Sequence, residues 1–314
     1  MTSILLTGSS GFVGKNLLTY LSPKFNLFGL ARDGKNVSPI LKKTFTWDNL
    51  VIGNLENIDC IIHLAGKAHD TKNTAAAAEY FDTNTELTKK IFDLFLKSAG
   101  TIFIFMSSVK AVADTLNDVL LESAIPDPKT PYGQSKQSAE EYLLAQKLPP
   151  NKKVFIMRPC MIHGPGNKGN LNLLYKVVQK RIPYPLAAFN NQRSFLSISN
   201  LNFIIEKVIS DPAVHGGIYN MADDDPLSTN EVIKIIAQTI GLKPKLWKLS
   251  PSLIRSVAII GDKLHLPLNT ERLKKLTENY VVSNQKIKDA LHIDHLPISS
   301  TEGLITTIKS FSSH

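Results

Sequence analysis

In the stretch PYGQSK, Tyr132 stands four residues before Lys136, a spacing that on a helix sets a phenol and an ammonium on one face. The ammonium favours the phenolate and is expected to draw the phenol down from about 10 toward the range of a working acid or base. Upstream, FIFMSSVKA carries an apolar run into two serines, and Ser108 at its end is placed to hydrogen-bond the same substrate oxygen. A phenol, an ammonium and a hydroxyl around one carbon–oxygen bond suit proton transfer coupled to hydride transfer. Taken alone, a Tyr-x-x-x-Lys pair describes many surface helices; its weight here comes from what precedes it.

What precedes it is ILLTGSSGFVGKNLL, three glycines at three-residue spacing between two apolar runs. A dinucleotide pyrophosphate needs backbone N–H donors at a helix N-terminus, and side chains there would block its approach. Gly8 is read as the tight turn off the first strand, Gly11 as the close approach to phosphate and Gly14 as the helix–sheet contact. Ser10, Phe12 and Val13 complete this loop as candidate cofactor contacts. The next strand ends GLARDG, where Arg32 favours the extra phosphate of NADP(H), while Asp33 leaves NAD(H) open.

The elements that must hold these residues follow from hydrophobic rhythm. Short apolar runs at Ile4 to Leu6, Leu27 to Leu30, Thr44 to Trp47, Cys60 to Leu64, Ile102 to Met106 and Val154 to Met157 read as strands. Between them Gly11 to Leu21, Ala75 to Ser98 and Tyr132 to Gln146 carry apolar residues at helical spacing. That alternation predicts an α/β fold, a doubly wound parallel sheet of Rossmann type. The dinucleotide-binding domain is expected over 1–160. A smaller substrate-binding lobe is expected over 161–314, with a segment near 190–222 returning to the sheet through GGIYNMA. Helices are predicted at Leu171 to Lys180, Ser228 to Ile240, Ser252 to Leu264 and Thr270 to Leu276.

Composition narrows the function class. Apolar residues at 43% and charged residues at 20% describe a globular chain, and no run is long enough to span a membrane, so a cytoplasmic protein is expected. Cys60 and Cys160 sit in apolar runs without paired spacing and read as buried filler, and no histidine–carboxylate cluster has metal spacing. The net charge of +9 is concentrated late: Gly241 to Ala290 holds ten Lys or Arg against four Asp or Glu. Without interleaved aromatics or a nucleic-acid motif this segment argues against nucleic-acid binding. Within it, Leu253 to Leu266 is amphipathic; a core-facing lid with solvated lysines is the expected arrangement, and peripheral contact with an anionic membrane the alternative.

Together TGSSGFVG, IDCIIHLAG, the DTN before Thr85, MSS, YGQSK, RPCMIHGPG, QRSFLSI and GGIYNMADD resemble the extended short-chain dehydrogenase/reductases, in their nucleotide-sugar epimerase, dehydratase and reductase group. The resemblance covers nearly the whole chain. It implies the pyrophosphate on Gly8, Gly11 and Gly14, and His63, Leu64, Ala65 and Gly66 lining the cofactor. It further implies Ser108 and Tyr132 at the reacting carbon, and Lys136 on the nicotinamide ribose and Tyr132. On the substrate side it implies Arg193 against the diphosphate of a UDP-sugar and Asn170 near the nucleotide, although Asn170 serves equally as a helix cap. A homodimer through the two long helices is also implied. Where the family commonly has a tyrosine after the Arg-Pro pair, this chain has His163, read as a structural substitution.

Dehydratases of the group carry an acid/base pair, usually carboxylates, directly after the catalytic Ser or Thr; here stand Val109 and Lys110. Dehydration is therefore disfavoured. Arg32 favours NADPH, a dissociable reductant, and SSVKAV, NKGNLNLL, DDDPLSTNEV and LTENYVVSNQKIKDAL resemble the subgroup of UDP-4-keto-6-deoxy-N-acetylglucosamine 4-reductases of surface-polysaccharide synthesis. A UDP-hexose 4-epimerase is the alternative. A dinucleotide sensor without chemistry is a remote third, since such proteins lose the Tyr or Lys that this chain keeps.

Overall fold

Six runs of β-branched and aromatic residues form strands β1 (Ser3–Thr7), β2 (Asn26–Ala31), β3 (Lys43–Thr46), β4 (Cys60–His63), β5 (Ile102–Met106) and β6 (Lys153–Pro159). The short strands β7 (Met161–His163) and β8 (Phe195–Ser197) pair with each other in a separate parallel ribbon. Strand β9 (Gly217–Met221) pairs with β6 and completes a seven-stranded parallel sheet of order β3-β2-β1-β4-β5-β6-β9. Of the segment 190–222 expected to return to this sheet, only β9 does so. The Phe195–Ser197 strand pairs with β7, because β6 already has β9 along its free edge. The computed structural model describes residues 1–32, 38–67, 76–167, 169–264 and 269–311, excepting the side chains of residues 170, 264 and 275.

The helices are α1 (Phe12–Leu21), α2 (Ala77–Phe81), α3 (Leu87–Lys97), α4 (Pro131–Ala145), α5 (Asn170–Gln179), α6 (Ile198–Ser210), α7 (Thr229–Thr239), α8 (Pro251–Leu264), α9 (Thr270–Thr277), α10 (Gln285–Ala290) and α11 (Ser300–Phe311). Strand periodicity sorts the core into two layers. Ile4, Leu6, Ile62 and Ile104 meet Leu17, Leu21, Leu201 and Ile205 of α1 and α6. Leu5, Ile61, Phe103 and Phe105 meet Ile91, Phe95, Ala139 and Leu143 of α3 and α4. A third cluster joins α5, α7 and α11 through Leu171, Ile233, Ile236 and Leu304.

The expected single helix Ala75 to Ser98 is divided. Between α2 and α3, residues Asp82–Glu86 form a π-helical turn, and Ala75 lies outside the described residues. The wider turn brings Asn84 into a hydrogen-bond network with neighbouring segments, a use common for such insertions at functional sites. Strand order reverses direction of growth between β1 and β4. A ligand crevice is therefore expected at the carboxyl ends of these central strands, where the glycine loop, the β4 exit and the β5 exit meet.

Candidate active site

The loop leaving β1 is built around glycine. Gly8 has φ of +70°, a left-handed conformation that side chains resist, and a Cβ there would lie 2.8 Å from Ala65 N. A Cβ at Gly14 would press on the Gly8 carbonyl oxygen and sit 2.7 Å from Ser9 Cα. Gly11 is the N-cap of α1 and offers no side chain to its first amides. These features fit a dinucleotide pyrophosphate: the backbone donors are uncapped and a side chain would fill the space. Ser10 is exposed here, while Phe12 and Val13 pack against the core.

The β4 exit is tied to this loop by a chain of hydrogen bonds that the motifs did not reveal. Ala65 N donates to Thr7 Oγ1 (2.9 Å), and Thr7 Oγ1 lies 2.8 Å from His63 Nδ1. His63 Nε2 lies 3.0 Å from Thr88 Oγ1, whose hydroxyl donates to Asn84 O. With the Thr88 proton so committed, His63 carries its hydrogen on Nε2 and accepts from Thr7. Burial, with Lys136 nearby, pushes His63 down to about 3, so it stays neutral. It is fully buried behind the glycine loop rather than on its surface. Asn84 Oδ1 accepts from Lys67 N (2.7 Å) and its amide donates to Ser135 Oγ (3.0 Å), joining the β4 exit to α4.

Tyr132 owes its place to helix-start chemistry. Thr130 caps α4 by accepting from Gly133 N (3.2 Å), and Pro131 occupies the first helical position. Ser108 caps the short 3-10 turn Val109–Ala111 just beyond β5 and hydrogen-bonds the Tyr132 phenol. Tyr80 of α2 meets the Tyr132 ring edge-on, 6.2 Å between centroids. Lys136 Nζ is buried and donates to Met106 O (2.9 Å) at the β5 end. A Cβ at Gly66 would lie 3.2 Å from that Nζ, so the β4 exit and Lys136 face each other.

The expected lowering of the Tyr132 phenol is not what this arrangement produces. Burial pushes it up, the Ser108 hydrogen bond pulls it down in part, and Tyr80 adds to the rise. Burial also pushes Lys136 down to about 8, against the opposing pull of Glu140. The phenol is thus protonated and the ammonium is charged only below about pH 8. Activity that needs the Lys136 cation should fall as pH rises through about 8 in a turnover profile. Glu140→Gln, which removes the charge that supports the cation, should move that limb to lower pH.

Glu140 itself lies one turn beyond Lys136, buried with Arg158. Arg158 Nε lies 3.0 Å from both carboxylate oxygens and Nη2 lies 2.5 Å from Oε2, while the Ser107 hydroxyl donates to Oε1. The two adjacent serines thus divide their tasks, Ser107 to this buried pair and Ser108 to Tyr132. Removing one partner of such a pair leaves the other charge uncompensated, so Glu140→Gln should cost about 3–5 kcal/mol in urea unfolding.

The residues expected on the substrate side lie in the part of the chain that follows β6. Arg193 is fixed by backbone pairing with Leu227 and Tyr280, and its Nη2 lies 3.9 Å from Glu278 Oε1. Tyr280 links it to the turn after Ser108: its hydroxyl donates to Ala113 O (2.7 Å), and Lys110 Nζ lies 4.3 Å from its ring centroid. Asn170 opens α5 with its side chain outside the described residues. The capping alternative does not hold for it, because Gly169 is the N-cap. Arg32 is exposed just past β2, and Asp33 lies outside the described residues. His163 is buried, with Nδ1 2.9 Å from Thr307 Oγ1, as a structural substitution would be. Cys60 and Cys160 are buried free thiols that burial pushes up, in keeping with packing roles.

The model of the NAD dependent epimerase/dehydratase family matches residues 4–222. This chain belongs to that family. It is 32% identical to a UDP-glucose 4-epimerase of Vibrio cholerae over 79% of this chain and 78% of that one. It is 28% identical to the N-acetyl-alpha-D-glucosaminyl-diphospho-ditrans,octacis-undecaprenol 4-epimerase of Escherichia coli O157:H7, over 77% and 73% of the two chains. Among solved structures, MoeE5 in complex with UDP-glucuronic acid and NAD superposes with a TM-score of 0.76, 20% identity and 99% coverage of both chains, which shows the shared Rossmann-type fold. The two sequence relatives are named as 4-epimerases of diphospho-linked sugars, and this chain is an NAD(P)-dependent enzyme of the same extended family.

Proposed function

We propose that this protein transfers hydride at C4 of a UDP-linked hexose, acting as a UDP-4-keto-6-deoxy-hexosamine 4-reductase in surface-polysaccharide synthesis. The observation that carries the reading is the Tyr132 phenol held on Ser108 beside buried Lys136, with Val109 and Lys110 where an eliminating enzyme needs carboxylates. In the proposal, Gly8, Ser10, Gly11, Phe12, Val13 and Gly14 hold the pyrophosphate. Leu64, Ala65, Gly66 and Lys136 line the nicotinamide end, and Arg32 meets the 2′-phosphate of NADP(H). When bound, the dinucleotide supplies the hydride. Tyr132 gives its proton to the C4 oxygen as charge gathers there, and Ser108 holds that oxygen in place. Lys136 stabilises the phenolate left behind. Arg193 pairs with the substrate diphosphate, for which a forked guanidinium is suited, and Asn170 meets the nucleotide. Pairing of two copies through α3 and α4 belongs to the same reading.

A second reading, a UDP-hexose 4-epimerase that keeps NAD through a cycle of oxidation and re-reduction, is favoured by the likeness to the Vibrio cholerae enzyme. Denaturing freshly purified protein and identifying the dinucleotide it releases separates the two. The reductase reading expects an empty protein that binds NADPH over NADH and oxidises NADPH when given a UDP-4-keto-6-deoxy-hexosamine. Arg32→Ala should cut the NADPH preference about tenfold, the value of one charge-assisted contact. Near-stoichiometric NAD, with turnover of a UDP-hexose and no net NADPH consumption, would replace it with the epimerase.

A further inference from the structure

We propose that the outward face of α8, with the segment leading into it, docks on an anionic lipid bilayer. Helix α8 carries two parallel apolar rows. Ile254, Ala258 and Gly261 form the buried one, with Ile254 and Ala258 clustered with Leu186 and Leu273. The other lies one residue earlier at each turn: Leu253, Val257 and Ile260 are 56%, 40% and 52% exposed, with Ile259 exposed beside them. The core-facing lid expected of this segment is therefore only half of what forms. The helix buries one large aliphatic side chain, Ile254, and leaves four exposed, Leu253, Val257, Ile259 and Ile260, which a merely core-packing helix does not do.

The approach to α8 adds to this surface. Trp247 is 55% exposed, yet its backbone is fixed by hydrogen bonds from Trp247 N to Tyr184 O (2.9 Å) and from Ala187 N to Trp247 O (3.2 Å). Leu249 is also exposed. Around these apolar groups Lys243, Lys245, Lys248, Arg255 and Lys263 are all exposed, against one acid, Asp262. An aliphatic row, an exposed indole on a hydrogen-bonded backbone and flanking cations suit a helix that lies in the membrane plane, its apolar side in the acyl boundary and its cations on headgroup phosphates. Charge selects this occupant over a second copy, because a self-association through this face would bring like-charged lysines together around the exposed row. No helix among the described residues is long and apolar enough to cross a membrane, so contact would be peripheral.

The test is co-sedimentation of the full chain with vesicles of phosphatidylcholine alone and of phosphatidylcholine mixed with phosphatidylglycerol. The protein should pellet with the mixed vesicles, stay in solution with the neutral ones, and be released by raised salt. Replacing the exposed row, Leu253→Ser with Val257→Ser and Ile260→Ser, should lower partitioning at least about tenfold. Dinucleotide binding and far-ultraviolet circular dichroism should be unchanged, since the three side chains are exposed. A Lys245→Glu, Lys248→Glu variant should lose the preference for anionic lipid by itself. Failure to pellet with the mixed vesicles, or equal pelleting of the serine variant, would overturn the proposal. So would a fall in solution molar mass on the serine substitutions, which would assign the row to an interface between copies.

Discussion

Replacing Tyr132 with phenylalanine should lower turnover roughly a hundred- to ten-thousandfold, the span general acid catalysis commonly contributes. The substitution removes one oxygen and keeps the ring that meets Tyr80, so packing and stability should stay close to those of the parent. Substrate KM should change little, because the phenol acts on charge that develops in the transition state. The alkaline limb near pH 8 should persist in the residual activity, as it belongs to Lys136. Steady-state kinetics across pH, with urea unfolding for stability, check all of this. Unchanged turnover in the phenylalanine variant would remove the catalytic assignment and leave a dinucleotide-binding protein without chemistry at this site.

The second large effect is expected at Gly14. An alanine there drives its Cβ into the Gly8 carbonyl oxygen and against Ser9 Cα, both of them backbone with no rotamer to give. Helix α1 must then lift from the loop whose amides would face the pyrophosphate in the proposed reading. A displacement of that kind should weaken dinucleotide affinity about a hundredfold, and overpacking should lower stability by about 1–3 kcal/mol. Equilibrium dialysis with NADPH and NADH, beside urea unfolding, reads the two separately. The contrast with Tyr132→Phe is informative: one variant loses binding and stability, the other loses only the chemical step.

Much of this was written plainly in the chain. The strands were legible because parallel, doubly covered strands read as short continuous apolar runs, and Ile102 to Met106 is placed as its sequence predicts. The glycine loop was legible because its spacing and its place after the first strand follow from steric need, and Tyr132 with Lys136 because helix spacing is fixed. What escaped depends on tertiary neighbours. Nothing local to PYGQSK tells that burial and Tyr80 raise the Tyr132 phenol, so the neighbouring ammonium alone gave the wrong direction. Glu140 looks like an ordinary helix acid, and only the packing of β6 against α4 supplies Arg158. The π turn at Asp82–Glu86 leaves the hydrophobic period nearly intact, although DTN marked the place. In α8 two adjacent rows have the same spacing, and periodicity cannot say which one the fold covers.

The central claim is hydride transfer at C4, and isotope tracing tests it most directly. The protein would be given a UDP-4-keto-6-deoxy-hexosamine and NADPH deuterated at the nicotinamide C4 on either face, with the product followed by proton NMR. The account predicts that deuterium from one of the two labelled cofactors appears at C4 of the sugar, with one equivalent of NADPH consumed per product. Recovery of the label entirely in the dinucleotide, or its appearance at another sugar carbon, would contradict it.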